Sequence, residues 1–302
     1  MNTGKAPSQS DVSPLADIGF FINVDGCEIT AQAIHFLLAK LPVRDRWCVE
    51  FGAGGEAHGS TTHRLITGQN YSAVLIEGVP GRFADVTKRY QDNSRVKVLQ
   101  KFVSFESGHP DSLDRLLAGS GIPRDFDFLS IDIDGNDYHV WNAIKEYTPK
   151  ILMIEFNPTI SAEVDFVQPA DPGINWGNSL AALNRLAKLK SYELVSVIGV
   201  NALFVQRQYF PLFDIGDNRI ETLWTKRDCV THIFCDYNGR LHLIGNHKLP
   251  WHYGIQMRES RLQVLPKFLQ KYRFERADKI TYLALREPWT LLKKNLGRFT
   301  GK

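Results

Sequence analysis

The stretch ELVSVIGVNALFVQRQ, residues 193–208, decides which kind of sheet this chain can build. Both halves are apolar and rich in β-branched residues, as buried strands are, and only Gly-Val-Asn at residues 199–201 separates them. Parallel strands need a crossover connection of about a dozen residues or more, so these two strands must run antiparallel. The sequence therefore predicts a sheet that finishes with a reversed strand.

Upstream of this pair, short apolar segments alternate with segments of helical periodicity. A first helix is predicted over residues 28–41, and an amphipathic helix over 179–192 precedes the strand pair. The predicted strands between these helices cover residues 46–51, 72–78, 95–103, 126–132 and 150–156. Such alternation is typical of βαβ units, and it predicts an α/β fold with a doubly wound, mostly parallel sheet of seven strands, Rossmann-like in outline.

Beyond residue 210 the pattern changes. The segment THIFCDYNGRLHLIG, residues 231–245, alternates around Asn238-Gly239, a pair typical of type I′ hairpins. Two helical stretches follow, at residues 259–274 and 288–299. We therefore divide the chain into a disordered N-terminal segment (1–20), an α/β domain (21–209) and an accessory hairpin and basic helical region (210–302), which packs on the core or on a second subunit.

The charge is unevenly distributed. The formal net charge is +3, but residues from Lys248 onward carry +9 and the remainder carries −6. A solvated basic helix explains the tail more simply than a membrane surface, an acidic substrate or a partner chain, and no nucleic acid is expected.

The cysteines and the apolar segments bear on where the protein works. The four cysteines, at positions 27, 48, 229 and 235, lack disulfide or zinc spacing. No segment resembles a signal peptide or approaches the ~20 apolar residues of a membrane span. We expect a soluble, cytoplasmic protein.

A glycine-rich turn, VEFGAGGEAHGS at residues 49–60, follows the first predicted strand. Gly52 and Gly54 permit a tight turn and close approach to a nucleotide, and the next helix offers free amides near Ser60. Gly52-x-Gly54-x-x-Ala57 also fits the dinucleotide pattern. Glu50 instead favours a methionine-bearing cofactor over a dinucleotide, because a carboxylate at that position can hold the cationic amino group of such a cofactor.

Two further strand ends are predicted to contact the nucleoside. Glu77 can accept hydrogen bonds from ribose hydroxyls in either class of cofactor, and Phe102 can lie beside the adenine, although core packing explains Phe102 equally well. The predicted cofactor-binding residues are Glu50, Phe51, Gly52, Ala53, Gly54, Ser60, Glu77, Gly78, Phe102, Val103, Ser104 and Asp132.

Acidic residues follow the fourth and fifth predicted strands. Asp132 lies in FLSIDIDGNDYHVW, residues 128–141, and Glu155 and Asn157 end the next strand. Since open α/β sheets bind ligands at the carboxyl ends of their strands, these three could hold Mg²⁺. Alternatively, Asp134 or His139 serves as a metal-free general base. The catalytic candidates are Asp132, Asp134, His139 and Glu155, and the candidate metal ligands are Asp132, Glu155 and Asn157.

Two neighbouring features complete the predicted site. Asp137, with Asn136, is expected to start the helix after the acidic segment. The loop at residues 157–178 is long and aromatic, which favours a functional lid, with Phe166 and Trp176 lining an acceptor pocket.

Several segments together carry a family resemblance. CVEFGAGG, AVLIEGVPGRF, LSIDIDGNDYHVW, PKILMIEFNP and VNALFVQR occur in the order and spacing of an FkbM-like branch of class I S-adenosylmethionine-dependent methyltransferases, over about residues 45–208. The sequence departs from that pattern at Glu56, where a third glycine is usual. The resemblance implies S-adenosylmethionine as cofactor and methyl transfer to an oxygen of a small molecule or glycan.

Two other functions remain open. One is a nucleoside-binding protein without turnover that acts in assembly. The other is an NAD-dependent oxidoreductase, which Glu50 and the reversed last strand argue against, because the nicotinamide dinucleotide fold normally stays parallel.

Overall fold

The computed structural model describes residues 24–54, 59–248, 256–263, 267–272, 275–281 and 283–284. The predicted N-terminal segment 1–20, the departure at Glu56 and the predicted helix at 288–299 lie outside the described residues. The described chain forms one compact unit up to Arg227 and a second from Asp228 onward. The segment 210–227 thus belongs to the first unit, and the domain boundary after residue 209 stays a prediction.

The first unit is built on a seven-stranded sheet with the order β3-β2-β1-β4-β5-β7-β6. The strands are β1 (Trp47–Phe51), β2 (Ser72–Ile76), β3 (Val96–Leu99), β4 (Phe128–Ile131), β5 (Ile151–Glu155), β6 (Tyr192–Ile198) and β7 (Asn201–Gln206). The first five are parallel, and β7 runs antiparallel to both β5 and β6. The predicted reversed strand is confirmed, and this is the arrangement of the class I methyltransferase fold.

The core of this unit lies on the central strands. Every residue of β4 is buried, as are the first four residues of β5, which explains why both strands appear in the sequence as continuous apolar runs. Their carboxyl ends carry the acidic residues, so the apolar runs fix where the polar side chains emerge.

In the described part of the first unit, seven helices precede, alternate with or follow these strands. They are α1 (Val24–Lys40), α2 (His63–Gln69), α3 (Pro80–Tyr90), α4 (Leu113–Leu117), α5 (Asp137–Ala143), α6 (Leu180–Leu189) and α7 (Ile220–Leu223). A 3₁₀ helix covers Arg207–Phe213. The helix α6 begins where Ser179 Oγ accepts a hydrogen bond from the amide of Ala182 (3.1 Å), the usual role of a serine cap. Among the described residues, no helix combines the length and apolarity needed to cross a membrane.

The second unit contains the predicted hairpin, formed by β8 (Thr231–Cys235) and β9 (Leu241–Gly245). The predicted type I′ turn is wrong. That turn needs positive φ at both central residues, and of the pair Asn238-Gly239 only Gly239 has it (φ 78°). The Asp236 carboxylate accepts from the amides of Asn238 and Arg240, which favours a type I turn followed by a glycine bulge.

The helix predicted over residues 259–274 is short in the described part of the chain. The helix α8 covers Glu259–Leu262 and ends at Gln263, whose backbone is extended. A separate 3₁₀ turn covers Lys267–Leu269.

Candidate functional site

The glycine turn after β1 lies against the carboxyl ends of two neighbouring strands. The amides of Gly52 and Ala53 both donate to the carbonyl of Ile76 at the end of β2 (3.1 and 3.3 Å). Gly52 has φ 77°, and a Cβ there would lie 1.8 Å from the carbonyl oxygen of Asp132. Only glycine fits both the backbone conformation and the contact, so the turn is fixed between β2 and β4.

Glu50 is buried and holds the start of α2. Its carboxylate accepts from the hydroxyls of Ser60 (2.7 Å), Thr61 (3.0 Å) and Thr62 (2.5 Å), and from the Thr61 amide (2.9 Å). A carboxylate offers about four acceptor positions, and these contacts use them. Its predicted contact with a cofactor amino group therefore stays a prediction, and the threonine partners were not anticipated from the sequence.

Glu77 has one carboxylate oxygen with a partner and one without. Its Oε1 accepts from the amide of Val79 (2.8 Å). Its Oε2 is buried and has no hydrogen-bond partner within the described part of the chain. That oxygen faces the glycine turn, because a Cβ on Gly54 would lie 2.1 Å from it. A buried acceptor without a donor costs about 1–3 kcal/mol, so a ligand hydroxyl there would be stabilising.

Phe102 packs on Gly78, the residue that follows Glu77, and is largely exposed. Its side chain is 74% exposed, and its ring packs so closely on Gly78 that a Cβ there would lie 2.3 Å from the ring. Core packing is therefore wrong for Phe102, and its open face suits a flat ring such as adenine. Ser104 is engaged within its own loop, where its Oγ accepts from the amide of Glu106 (3.1 Å).

Together these residues fit the nucleoside part of S-adenosylmethionine. The unpartnered oxygen of Glu77 matches a ribose hydroxyl, and the exposed ring of Phe102 matches the base. The predicted residues Phe51, Ala53 and Val103 lie in the same strand ends and turns, with Phe51 and Ala53 buried.

Asp132 and Glu155 meet at the carboxyl ends of β4 and β5. Ile131 pairs with Ile154 in the strand register, so the next residues are neighbours, and their side chains share a hydrogen bond. Carboxylate oxygens of Asp132, Asp134 and Glu155 all lie within 4.8 Å of one another. Burial raises the pKa of both Asp132 and Glu155, and the surrounding carboxylates raise them further. The pair therefore tends to share a proton.

Asp137 organises the turn that carries these acids. It is buried, and its carboxylate accepts from the amides of Ile133 (3.0 Å) and Gly135 (2.9 Å). The helix α5 begins at Asp137 with Asn136 as its cap position, which confirms the predicted structural role. Asp134 lies within the turn at φ 57°, a left-handed conformation that aspartate tolerates better than most residues.

Asn157 does not join the acidic cluster. Its Oδ1 accepts from the amide (2.9 Å) and hydroxyl (2.6 Å) of Thr159, and its Nδ2 donates to the carbonyl of Trp176 (2.7 Å). Since its side chain closes a local turn, Asp134 is the third oxygen ligand that the structure brings to Asp132 and Glu155. Metal binding by any of these residues stays a prediction.

His139 lies on α5, half-buried, with one ring nitrogen already engaged. Its Nε2 lies 2.7 Å from the carbonyl oxygen of Gln168, so the Nε2–H donates to that oxygen. In the neutral ring, Nδ1 is then the acceptor nitrogen. The ring packs on Phe105 and Tyr138. This geometry orients the imidazole, and its role as a general base stays a prediction.

The loop at residues 157–178 is fastened to the acidic turn. Gln168 is 1% exposed; its Oε1 accepts from the amides of Trp176 (3.0 Å) and Gly177 (2.9 Å), and its Nε2 donates to Asn136 Oδ1 (3.2 Å). Asn178 adds a hydrogen bond from Nδ2 to the carbonyl of Gly135 (2.8 Å). Gln168 was not anticipated, because its partners are distant in sequence.

The two aromatic residues predicted on this loop are adjacent. The rings of Phe166 and Trp176 stack with centroids 6.5 Å apart, and Trp176 is 57% exposed. Asn157, two residues after β5, donates to the Trp176 carbonyl. The loop therefore carries an exposed aromatic surface, and its role in an acceptor pocket stays a prediction.

Comparison with known proteins assigns no family to the chain. No family model and no curated protein matches the chain. A solved CurJ carbon methyltransferase is 11% identical with a TM-score of 0.40, covering 59% of this chain and 53% of that one. The CMeT domain of the citrinin polyketide synthase is 10% identical with a TM-score of 0.39, covering 60% and 52%.

One matching structure was solved with ligands. An O-methyltransferase from neocarzinostatin biosynthesis, in complex with S-adenosylmethionine and 2-hydroxy-5-methyl naphthoic acid, is 14% identical with a TM-score of 0.34, covering 59% of this chain and 55% of that one. The chain thus spans about half the length of these three solved chains. Identities and TM-scores this low leave the activity to be argued from the site itself.

Proposed function

We propose that the chain is an S-adenosylmethionine-dependent methyltransferase that methylates a hydroxyl oxygen of a small molecule or glycan. The observation that carries the proposal is the unpartnered, buried Oε2 of Glu77, which faces the glycine turn in a sheet whose β7 is reversed. The carboxylate supports a ribose-bearing ligand. The sheet order supports the methyltransferase class over the classic dinucleotide fold, whose strands run in the order 3-2-1-4-5-6.

S-adenosylmethionine, when bound, supplies a methyl group on a cationic sulfur. Glu77 accepts hydrogen bonds from its ribose, and the ring of Phe102 covers one face of its adenine. Gly52 and Gly54 keep the turn close to Asp132 and Glu77, because a Cβ at either position would collide with those residues. These contacts orient the cofactor toward the carboxyl ends of β4 and β5.

Asp132 and Glu155 supply the acid–base function in this proposal. Asp132 lies against the glycine turn, since its carbonyl contacts Gly52, and its carboxylate is hydrogen-bonded to Glu155. Asp132 takes the proton of the acceptor hydroxyl, while Glu155 donates a hydrogen bond that orients it. Asp134 and His139 border the same edge and are the alternative bases.

The acceptor binds beneath the loop at residues 157–178 in this proposal. The exposed Trp176, stacked on Phe166, offers an apolar surface on a loop that is hydrogen-bonded to the turn carrying the acids. Gln168 keeps the loop in register with the acidic turn, so acceptor and base are held together.

A magnesium-dependent version of the same reaction has its own support. The carboxylates of Asp132, Asp134 and Glu155 lie close enough to share one cation, and oxygen ligands suit Mg²⁺. We favour the metal-free version, because the shared proton already reduces the repulsion within the pair. We expect methyl transfer to continue in the presence of EDTA. Loss of methyl transfer with EDTA, and its restoration by Mg²⁺, would establish the magnesium-dependent reaction.

Calorimetry on the full chain tests the cofactor. S-adenosylmethionine and S-adenosylhomocysteine should bind, and NAD should not. Glu77→Gln should weaken both by about tenfold to hundredfold, because a hydrogen bond to a charged group is worth about 1.5–3 kcal/mol. The matched control, Glu106→Gln in the exposed loop, should bind normally. Binding of NAD alone would indicate the oxidoreductase.

Transfer of a labelled methyl group to a panel of hydroxyl acceptors tests the reaction. Asp132→Asn should abolish transfer while cofactor binding is retained. A chain that binds the cofactor, yet transfers nothing to any acceptor class, would be the assembly protein without turnover.

We further infer a cytoplasmic location and self-association through residues 210–302. Cell fractionation tests the first inference. Light scattering on the full chain tests the second.

A further inference from the structure

A cavity of about 230 Å³ opens at the opposite edge of the sheet from the candidate site. Its lining comes from the end of α5, the segment before β5 and the start of β6, and includes Trp141, Ile144, Tyr147, Pro149, Lys190 and Tyr192. These are the amino ends of β5 and β6, whereas Asp132 and Glu155 lie at carboxyl ends. A strand of five residues at about 3.3 Å each separates the two edges by roughly 15 Å.

Two lysines face this cavity without an ion-pair partner in the described part of the chain. Lys190 is half-buried, and its Nζ donates to the carbonyl of Ile144 (2.7 Å). Lys145 also lines the cavity, and its Nζ donates to the carbonyl of Asn142 (3.0 Å). An ammonium group has three donors, so each lysine keeps further N–H groups for a ligand.

The nearby acids are already engaged. The carboxylate of Asp114 accepts from the amides of Lys145 (2.8 Å) and Glu146 (3.2 Å). Glu146 pairs with Arg124 (2.7 Å). Both acids lie outside the lining, whose charged residues are Lys145 and Lys190, so the lining itself is positive.

The opposite wall is apolar and fixed. Trp141 and Tyr192 pack edge to face with centroids 5.9 Å apart, and both are almost completely buried. The Tyr192 hydroxyl donates to the carbonyl of Pro149 (2.6 Å), which holds the ring in place. Burial, and then the charge of Lys145, lower the pKa of Lys190 to about 8, and the nearby carboxylate of Asp114 opposes that shift only in part.

We propose that this cavity binds a small organic carboxylate, with Lys190 and Lys145 holding the carboxylate and the wall of Trp141 and Tyr192 holding its apolar body. Pockets for drug-sized ligands measure about 300–1,000 Å³, so this smaller cavity suits a molecule of about one ring. The site is distinct from the proposed active site and does not depend on methyl transfer.

Calorimetry with benzoate and its neutral isostere benzamide tests the proposal on the full chain. At pH 7 benzoate should bind saturably, and benzamide about tenfold or more weakly, because only the carboxylate makes charge-assisted hydrogen bonds. Lys190→Met should weaken benzoate binding by about tenfold to hundredfold. Lys188→Met is the matched control: this lysine lies in the last turn of α6, two residues before Lys190 and outside the cavity lining, and pairs with Glu193, so binding should be unchanged.

A second variant protects the test against a folding defect. Lys145 is exposed, so Lys145→Gln should leave the fold intact and weaken benzoate binding severalfold. The proposal is overturned by any of three results: no saturable binding of benzoate, equal binding of benzamide, or benzoate binding unchanged in both lysine variants.

Discussion

At the scale of single residues, the glycine turn after β1 is the most constrained position of the candidate site. Gly52→Ala would place a Cβ 1.8 Å from a backbone oxygen, at a φ of 77° that side chains rarely adopt. We expect a loss of at least about 2 kcal/mol in the free energy of unfolding, together with loss of cofactor binding. Urea denaturation followed by calorimetry measures both.

The control for this substitution is in α2. A Cβ on Gly68 meets nothing within 4 Å, so Gly68→Ala should be neutral or stabilise by up to about 1 kcal/mol. Equal effects of the two substitutions would contradict the assigned role of Gly52.

The lowered pKa of Lys190 predicts how the stability of the fold depends on pH. Its pKa in the folded chain is about 8, below the ordinary 10.5, so folding disfavours its charged form. The resulting penalty is present below pH ~8 and is relieved as pH rises toward ~10.5, because the unfolded chain binds more protons in that window. Lys190→Met should therefore stabilise the protein at pH 7 by about 1 kcal/mol, allowing for partial solvent screening and for the hydrogen bond to Ile144 that it loses.

Thermal unfolding across pH 6–10.5 checks the sign. The difference in melting temperature between Lys190→Met and the parent chain should shrink as pH rises through 8. The difference between Lys188→Met and the parent chain should not change over that range. A difference that grows with pH would show that the charged form of Lys190 stabilises the fold.

The acidic residues show what sequence could and could not predict at this scale. Asp132 and Glu155 could be placed together because each follows a buried strand and parallel strands end at one edge. Asn157 also follows a buried strand, yet its side chain does not join the acidic cluster. It binds the Trp176 carbonyl, 19 residues further along the chain, and sequence spacing does not reveal that contact. Glu50 was assigned to the cofactor because a carboxylate suits a cationic amino group, and sequence spacing does not reveal the hydroxyls just before α2 that occupy it.

At the scale of elements, the conformation of the loop at residues 157–178 depends on the buried side-chain amide of Gln168. Gln168→Ala would leave the amides of Trp176 and Gly177 and the side chain of Asn136 without their partner. Unpaired buried groups cost about 1–3 kcal/mol each where water cannot replace the bond, so we expect the loop to loosen by about 2–4 kcal/mol. Hydrogen exchange of the amides at residues 174–177 should accelerate, with little change in β5.

The control is Gln91→Ala, an exposed glutamine that follows α3. It should leave exchange in the loop unchanged. If exchange at residues 174–177 is equally slow in Gln168→Ala, then backbone contacts hold the loop and the proposed role of Gln168 fails.

Secondary-structure elements could be predicted from the sequence where a single local rule determines them. The reversed β7 followed from a connection too short for a crossover, and the strands followed from apolar runs that are buried in the sheet. The turn of the β8–β9 hairpin was not, because Asn-Gly suits a type I′ turn and equally the type I turn with a glycine bulge. The Asp236 carboxylate, which supports the second, acts through hydrogen bonds that sequence spacing does not reveal.

At the scale of the whole first unit, one buried ionic network joins the amino ends of the central strands. Lys150, 2% exposed, donates to Asp45 (2.8 Å) and to the fully buried Asp127 (2.7 Å). Asp127 also accepts from the amides of Asp45 and Arg46 and from the hydroxyl of Tyr71. The network therefore ties together the starts of β1, β2, β4 and β5.

Removal of the Lys150 ammonium tests how much this network contributes. Lys150→Met leaves Asp127 buried without a counter-charge, and breaking a buried pair in this way costs about 3–5 kcal/mol. We expect that loss in urea denaturation. Arg219→Met breaks an exposed pair with Asp217 and should leave the urea midpoint nearly unchanged. Adding Asp127→Asn to Lys150→Met should recover part of the loss, because it removes the stranded charge; no recovery would mean that Lys150 acts through packing alone.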